Sequence, residues 1–148
     1  MKTPASIANH PIHPMLITIP IGLWLFSLVC DLVALSRPEG PWPTLALYTL
    51  AGGILGALLA AVPGLIDMLS LAGRRRKVAL VHMTINLTVV ALYVINFWLR
   101  TQNENYDSGG APLLLSVVAV VLLAMSGWLG GKLVYELGVA VDGRPYND

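Results

Sequence analysis

The sequence predicts an all-α protein, a four-helix transmembrane bundle whose helices run up, down, up and down across the bilayer. Composition is the first observation: hydrophobic residues make up 56% of the 148 residues and charged residues only 11%, whereas soluble domains carry about 25% charged residues. The second observation is four apolar runs that each reach the roughly 20 residues needed to cross a hydrocarbon core about 30 Å thick. The third is that the segments between the runs are rich in proline, glycine or charge.

The predicted spans form a single integral membrane domain over residues 1–148. They cover residues 15–35, 44–71, 78–99 and 112–135. The connector at 36–43 contains three prolines, which remove backbone donors and stop a helix. The connector at 72–77 is predicted to be a short basic hinge, and the one at 101–110 is polar and ends in two glycines. The spans are predicted as helices because lipid cannot hydrogen-bond an exposed backbone.

The distribution of lysine and arginine predicts which side of the membrane each connector faces. Seven of the nine basic residues fall on the side of the N-terminus: Lys2, Arg74, Arg75, Arg76, Lys77, Lys132 and Arg144. Only Arg37 and Arg100 fall on the other side. Cytoplasmic loops of membrane proteins carry the excess of positive charge. Both termini and the basic hinge are therefore predicted to be cytoplasmic.

Two spans carry glycine pairs at the spacing G-x-x-x-G, namely Gly52 with Gly56 and Gly127 with Gly131. In lipid, such small-residue faces let helix backbones approach closely. Packing inside the bundle is the simpler interpretation. The alternative is self-association, or contact with another membrane protein or redox protein, through these faces.

Ionisable and imidazole side chains are predicted to meet in one shallow layer near the cytoplasmic face. Every span contributes: His10 and His13 precede the first, Asp67 lies about a turn before the end of the second, His82 lies just over a turn inside the third, and Lys132 and Glu136 end the fourth. A charge inside a span is costly unless it is paired or hydrated, so such groups are candidates for function.

Imidazole and carboxylate side chains from separate helices indicate a bound cofactor. We predict that His13 and His82 bind it, and that a metal site would draw on His10, His13, Asp67 and His82. Imidazole suits zinc, copper, iron and nickel, and two histidines from different helices can hold a haem iron axially. Asn86, one turn after His82, would support a ligand or hydrogen-bond across helices.

The first two histidines lie in the element H-P-I-H-P, from His10 to Pro14. Residues before proline avoid the α region, so the element is predicted to be extended, with Pro14 in the first helical turn and His13 near the cap. In polyproline II geometry, His10 and His13 would lie about 9 Å apart. That distance is too long for easy chelation of one ion by this segment alone.

A structural interpretation of the same polar residues stays open. Asp67 would pair with Lys132 or with the basic hinge. Asp31, near the opposite end of the first span, would cap its helix or pair with Arg37 or Arg100. Each histidine would then be a hydrogen-bonded residue at the membrane interface.

Three segments resemble a family of bacterial membrane proteins catalogued as domain of unknown function 2231. They are His10 to Pro20 followed by Cys30-Asp31-Leu32, then Gly64 to Asp67 with the basic hinge and His82, and finally Gly130 to Val141. The resemblance implies a four-helix protein of the bacterial inner membrane. Some relatives carry a Rieske-type iron–sulfur domain, which implies redox work. Many relatives have a histidine near Lys132 or Glu136; this chain has none there, which weakens a fully coordinated site.

The sequence carries no enzyme signature, and three functions remain open. The sequence contains no P-loop, dinucleotide fingerprint, H-E-x-x-H or G-x-S-x-G motif, so an enzyme is disfavoured, though the question stays open. The first function is binding of a transition metal or haem for electron transfer or metal handling. The second is a non-catalytic membrane subunit or scaffold whose polar cluster is structural. The third, ranked last, is proton or small-ion movement. Nucleic acid is not an expected partner, because no basic stretch alternates with aromatic residues.

Overall fold

The computed structural model describes residues 2–103, 105–106 and 109–141. In that part of the chain, a two-stranded hairpin with β1 at Ser6–Ile7 and β2 at His10–Pro11 precedes five helices. The helices are α1 (Ile12–Leu16), α2 (Thr18–Ala34), α3 (Trp42–Leu69), α4 (Gly73–Thr101) and α5 (Ala111–Tyr135). Since α2 follows α1 almost directly, the described chain has four helical segments long and apolar enough to cross a membrane. The predicted four-helix bundle is confirmed.

The helix ends differ most from the predicted span ends at the basic hinge. α4 begins at Gly73 and includes Arg74 to Lys77, so the connection from α3 needs only residues 70–72. The prediction that residues 72–77 form a connector is therefore wrong for most of that segment. Arginine and lysine are good helix formers, and their long side chains can reach water from the first turns of a membrane helix.

The first span begins before its apolar run and is interrupted once. Ala8 and Asn9 have φ values of 48° and 65°, as the tight turn between β1 and β2 requires. Regular helix then stops at Leu16 and resumes after Ile17. Pro20 explains the interruption, because it cannot donate to the carbonyl of Leu16 and its ring clashes with that carbonyl.

The spans pack as two helical hairpins that lie side by side, α2 with α3 and α4 with α5. Between the hairpins, α3 contacts α4 and α2 contacts α5, so the four spans form a closed ring. Only 17–33% of the most apolar window of each span is buried inside the protein. Many of the remaining apolar side chains are exposed, as they are in helices surrounded by lipid and rarely are in soluble proteins.

An aromatic stack joins the two hairpins at the centre of the bundle. The Trp24 indole lies on the Tyr93 ring with centroids 4.4 Å apart and planes 13° apart. Trp24 Nε1 donates to the carbonyl of Leu50 at 3.2 Å. Gly53 leaves the space that the indole fills, because a Cβ at that position would overlap it. The stack fixes α2 against α4 inside the bundle.

An ion pair joins the same two helices at the end of the bundle where both of them end. Arg100 donates to the two oxygens of Asp31 at 2.7 and 2.8 Å, and both side chains are fully buried. Asn96 Oδ1 accepts from Arg100 Nε at 2.8 Å, and Ser116 Oγ donates to Asp31 Oδ2 at 3.1 Å. Of the two predicted partners of Asp31, Arg100 forms the pair. The charges are tolerated away from water because they are paired and hydrogen-bonded.

Candidate functional site

His13 lies in the first turn of α1, and its imidazole packs against α3. Its Nδ1 is 2.8 Å from the carbonyl oxygen of Ala60. Because a carbonyl only accepts, Nδ1 carries the proton, and Nε2 holds the lone pair of the neutral ring. Gly64 makes this approach possible, since a Cβ there would lie 2.7 Å from Nδ1. The close contact between ring and helix therefore depends on a glycine in α3.

The backbone around His13 differs in part from the predicted extended geometry. His10 and Pro11 are extended, as predicted, but helix α1 already begins at Ile12 and includes both His13 and Pro14. A proline is tolerated there because the first turn of a helix has no intrahelical partner for its N–H groups. His13 therefore projects from a helix rather than from a polyproline segment.

His82 lies within α4, and its imidazole contacts α5. Its Nδ1 is 2.9 Å from both the carbonyl oxygen and the hydroxyl oxygen of Ser126. Because the carbonyl can only accept, this ring also carries its proton on Nδ1. Asn86 Nδ2 lies 3.1 Å from His82 Nε2 and 2.7 Å from Ser126 Oγ. The hydrogen bond of Asn86 across helices is therefore present. A Cβ at Gly130 would lie 3.4 Å from the ring, so a glycine faces this imidazole too.

The two imidazoles lie beside each other, one from each hairpin. Their ring centroids are 6.4 Å apart and their planes meet at 88°. Both side chains are half-buried. Each ring is oriented by a backbone carbonyl of the neighbouring helix in its own hairpin. Histidines that bind metals are usually oriented in this way, with one ring nitrogen donating to a carbonyl or carboxylate and the other free to coordinate.

The other two predicted metal ligands interact with the N-terminal segment. His10 is exposed in β2, and its Nδ1 lies 2.9 Å from the carbonyl of Ala8. Asp67 is buried, and its Oδ1 accepts the N–H of Ala5 at 2.8 Å. This bond satisfies a buried backbone donor that would otherwise be unpaired. It holds the segment before the first span against the end of α3.

The predicted four-residue metal set of His10, His13, Asp67 and His82 is not assembled. Within the described ranges, no group of three or more His, Cys, Asp or Glu side chains could hold a metal ion. Only His13 and His82 come together. The missing members are explained by the turn that directs His10 to the surface and by the backbone amide that engages Asp67.

Lys132 and Glu136, predicted to lie in the same shallow layer at the end of the fourth span, pair with each other. Lys132 Nζ lies 3.4 Å from a carboxylate oxygen of Glu136, one turn further along the chain, and both side chains are partly exposed. The predicted salt bridge from Lys132 to Asp67 is absent from the described contacts of these residues.

The two glycine pairs have different surroundings. A Cβ at Gly52 or Gly56 would lie 3.2 or 3.0 Å from side chains of α2, so this pair packs inside the protein. A Cβ at Gly127 or Gly131 would meet nothing within 4 Å. The face of α5 that carries Gly127 and Gly131 is therefore open.

Four further residues belong to the site although no sequence motif marks them: Ala60, Gly64, Ser126 and Gly130. Ala60 and Ser126 contribute backbone carbonyls, which no side-chain pattern reveals. The two glycines have a regular position in the sequence. Gly64 and Gly130 each lie four residues after the residue whose carbonyl orients a histidine, and therefore on the same helix face.

Together the fold and the site define a class, a small four-helix membrane protein with a pair of imidazoles between two hairpins. The chain belongs to the family described as predicted membrane protein (DUF2231), whose family model matches residues 9–143. The resemblance seen in the sequence is thereby confirmed. No curated protein and no solved structure matches the chain. Because the family description names no activity, the function has to be argued from the site.

Proposed function

We propose that the protein binds a transition metal or haem between its two hairpins, with His13 and His82 as ligands, for electron transfer or metal handling. The observation that carries this proposal is the 6.4 Å separation of the two ring centroids. With both Nε2 atoms turned toward one ion, two metal–nitrogen bonds of about 2.0 Å each, together with the distance from each ring centre to its nitrogen, would span nearly this length. One ion between the rings suits the separation.

The hydrogen bonds of the rings support the same proposal. Both Nδ1 atoms donate to carbonyls, so both Nε2 atoms have the lone pair that coordination needs. His13 Nε2 makes no hydrogen bond to the described part of the chain. At His82, the amide of Asn86 lies on Nε2, and a bound ion would replace that contact.

The position of the pair favours electron transfer to a partner outside the bilayer. His13 lies in the first turn of the first span. Because the span is about as long as the bilayer is thick, its first turn lies close to the membrane surface. Both termini and the first turns of α4 are proposed to lie on this side, in the cytoplasm of a bacterium, on the strength of their positive charge. A redox protein at the membrane surface could then approach the site closely.

The test is the metal content and visible spectrum of the full-length protein purified in detergent. A stoichiometric metal or haem is expected, and His13→Ala and His82→Ala are each expected to lose most of it. His10→Ala is the matched control, because it removes an exposed imidazole that hydrogen-bonds within its own turn. A colourless, metal-free protein from cells grown replete in iron, copper, zinc and haem precursor would disprove the proposal.

A second candidate function, a non-catalytic membrane subunit, is favoured by the hydrogen bonds around His82. Both of its ring nitrogens have partners in the chain, Ser126 and Asn86, so the ring is satisfied without a ligand. A partner helix would then meet the open face at Gly127 and Gly131. Under this function, Asn86→Leu and His82→Ala lower thermal stability alike, and neither changes the metal content.

A further inference from the structure

Three pairs of side chains meet between the first and third spans, at three depths in the bundle. They are His13 with His82, Trp24 with Tyr93, and Asp31 with Arg100. The members of the last pair are 69 residues apart, and the residue numbers give the same separation for the other two. Because these spans run in the same direction, a constant separation means that equivalent positions of two parallel helices face each other.

The contacts inside each hairpin repeat in the same way. Two side chains of each hairpin form matching hydrogen bonds to carbonyls of the neighbouring helix: His13 to Ala60 and Ser27 to Ala46 in the first hairpin, and His82 to Ser126 and Asn96 to Pro112 in the second. The sequence separations are 47 and 19 residues in the first hairpin and 44 and 16 in the second. Each separation in the second hairpin is three residues shorter than its equivalent in the first. The second hairpin therefore repeats the first with a connection three residues shorter.

Burial gives an independent argument for the same correspondence. The buried residues Pro20, Trp24, Ser27 and Asp31 of α2 correspond, in order, to the buried residues Val89, Tyr93, Asn96 and Arg100 of α4. Every buried residue of α5 also corresponds to a buried residue of α3: Pro112 to Ala46, Ser116 to Leu50, Ala119 to Gly53, Ser126 to Ala60 and Leu133 to Asp67. These four positions of α2 and α4 and five positions of α3 and α5 therefore face inward in both hairpins.

Side-chain size follows the correspondence at the central stack. The larger ring, that of Trp24, needs the glycine that α3 has at residue 53, because a Cβ there would overlap the indole. The smaller ring, Tyr93, shares its core cluster with Ala119, which occupies the equivalent position of α5. Each half therefore pairs its aromatic ring with a residue small enough to leave room for it: Trp24 with Gly53, and Tyr93 with Ala119.

We infer that the chain is an internal dimer of two equivalent helical hairpins, related by a pseudo-two-fold axis along the membrane normal, and that the axial site takes a metal tetrapyrrole. The second part rests on the proposed function. Membrane proteins built from parallel repeats with such an axis are known. The axis passes between His13 and His82, so each half supplies one imidazole whose Nδ1 donates to a carbonyl of the neighbouring helix. The additional contacts of His82 with Asn86 and with Ser126 Oγ have no counterpart at His13.

The number of protein ligands selects the class of cofactor. A bare zinc ion normally takes four ligands, and the described residues offer only two imidazoles at the site, without a third His, Cys, Asp or Glu. A tetrapyrrole supplies four nitrogens itself and leaves two opposite positions for the protein, as in bis-histidine haem proteins. Two imidazoles that lie beside each other, one from each half, would supply those two ligands.

The internal dimer is tested by exchanging equivalent residues in the full chain, with thermal unfolding in detergent as the readout. Tyr93→Trp alone is expected to lower Tm by about 5 °C or more, because Ala119 lacks the space that Gly53 gives. Adding Ala119→Gly should restore most of that loss. The full exchange of Trp24→Tyr, Gly53→Ala, Tyr93→Trp and Ala119→Gly should unfold close to the wild type. If Ala119→Gly restores nothing and the full exchange is the least stable variant, the halves are not equivalent.

The cofactor class is tested by titrating purified protein separately with haemin, zinc chloride and copper chloride. Haemin is expected to bind once per chain and give a low-spin, six-coordinate spectrum. His13→Ala and His82→Ala should each weaken this binding by about tenfold or more and leave a five-coordinate spectrum, while His10→Ala changes nothing. A large effect of only one of the two histidines would contradict equivalent ligands.

The remaining outcomes separate this inference from the proposed function. Zinc or copper binding that depends on both histidines, without histidine-dependent haemin binding, would overturn the tetrapyrrole and leave the proposed metal site intact. No binding of any of the three probes would disprove the proposed function itself. In that case the exchange of Trp24 and Tyr93 would still decide whether the hairpins are equivalent.

Discussion

The guanidinium of Arg100 and the carboxylate of Asp31, 69 residues apart in the chain, form a two-point ion pair that is wholly buried between the hairpins. Neither water nor lipid can solvate a charge at this position, so each residue is tolerated only because the other is present. The pair therefore specifies how far α2 and α4 can slide along each other. Its geometry gives a direct prediction about stability.

Removing one member of this pair should be far more damaging than removing both. Asp31→Leu or Arg100→Leu should each cost about 3–5 kcal/mol of unfolding free energy, because an uncompensated charge stays buried. The double variant should recover a large part of that loss. Unfolding in detergent measures all three. Lys132→Gln is the control, because its pair with Glu136 is partly exposed and worth at most about 1 kcal/mol. Additive losses in the double variant would contradict the prediction.

Gly64→Ala should displace His13, whereas Gly127→Ala should be tolerated. A Cβ at Gly64 would lie 2.7 Å from His13 Nδ1, so the bond to the Ala60 carbonyl would break at a cost of about 1–3 kcal/mol. A Cβ at Gly127 meets nothing, and alanine is a better helix former than glycine. Thermal unfolding distinguishes the two, and equal stability of both variants would show that the imidazole does not pack as described.

Asp67 should act as an acceptor for the N-terminal segment, and its charge should be dispensable. Asp67→Asn keeps an oxygen for the Ala5 N–H, whereas Asp67→Ala leaves that buried donor unpaired at a cost of about 1–3 kcal/mol. Hydrogen exchange at the Ala5 amide should therefore accelerate strongly in Asp67→Ala and only slightly in Asp67→Asn. Glu136→Gln, on an exposed side chain, serves as control. Equal acceleration in both Asp67 variants would indicate that the carboxylate has another role.

The proposed orientation can be tested by labelling single cysteines with a membrane-impermeant reagent. Because Cys30 is fully buried, it can be replaced by alanine to give a chain without cysteine. Single cysteines are then introduced at exposed positions. Glu39→Cys should be labelled in intact spheroplasts. Arg74→Cys should be labelled only after the membrane is opened, because the basic start of α4 should be cytoplasmic. The reverse pattern would place both termini outside.

Part of the candidate site was predictable from sequence and part was not. That His13 and His82 lie at similar depths follows from counting residues along two parallel spans, and the structure brings these side chains together. Asp67 lies at a similar depth but is engaged by a backbone amide of the N-terminal segment. Depth is therefore not enough, because the angle at which a side chain leaves its helix decides what it meets.

The internal repeat was present in the sequence but too weak to be recognised there. At the 69-residue spacing, His13 meets another histidine, but Trp24 corresponds to Tyr93, Ser27 to Asn96 and Asp31 to Arg100. Within each of these three pairs the aromatic or polar character is kept but the residue type differs, and Asp31 and Arg100 carry charges of opposite sign. The contacts reveal the repeat because they depend on position, whereas sequence similarity depends on residue type.

By itself, the sequence determined the membrane class, the four helices and the order in which they cross. These properties are local, since hydrophobicity, helix propensity and the helix-stopping effect of proline add up along short stretches of chain. Only the tertiary structure decided which polar groups meet: Asp31 with Arg100, His13 with His82 and Asp67 with the N-terminal backbone. Those pairings depend on the rotation and register of helices far apart in sequence, and packing between the two hairpins sets both.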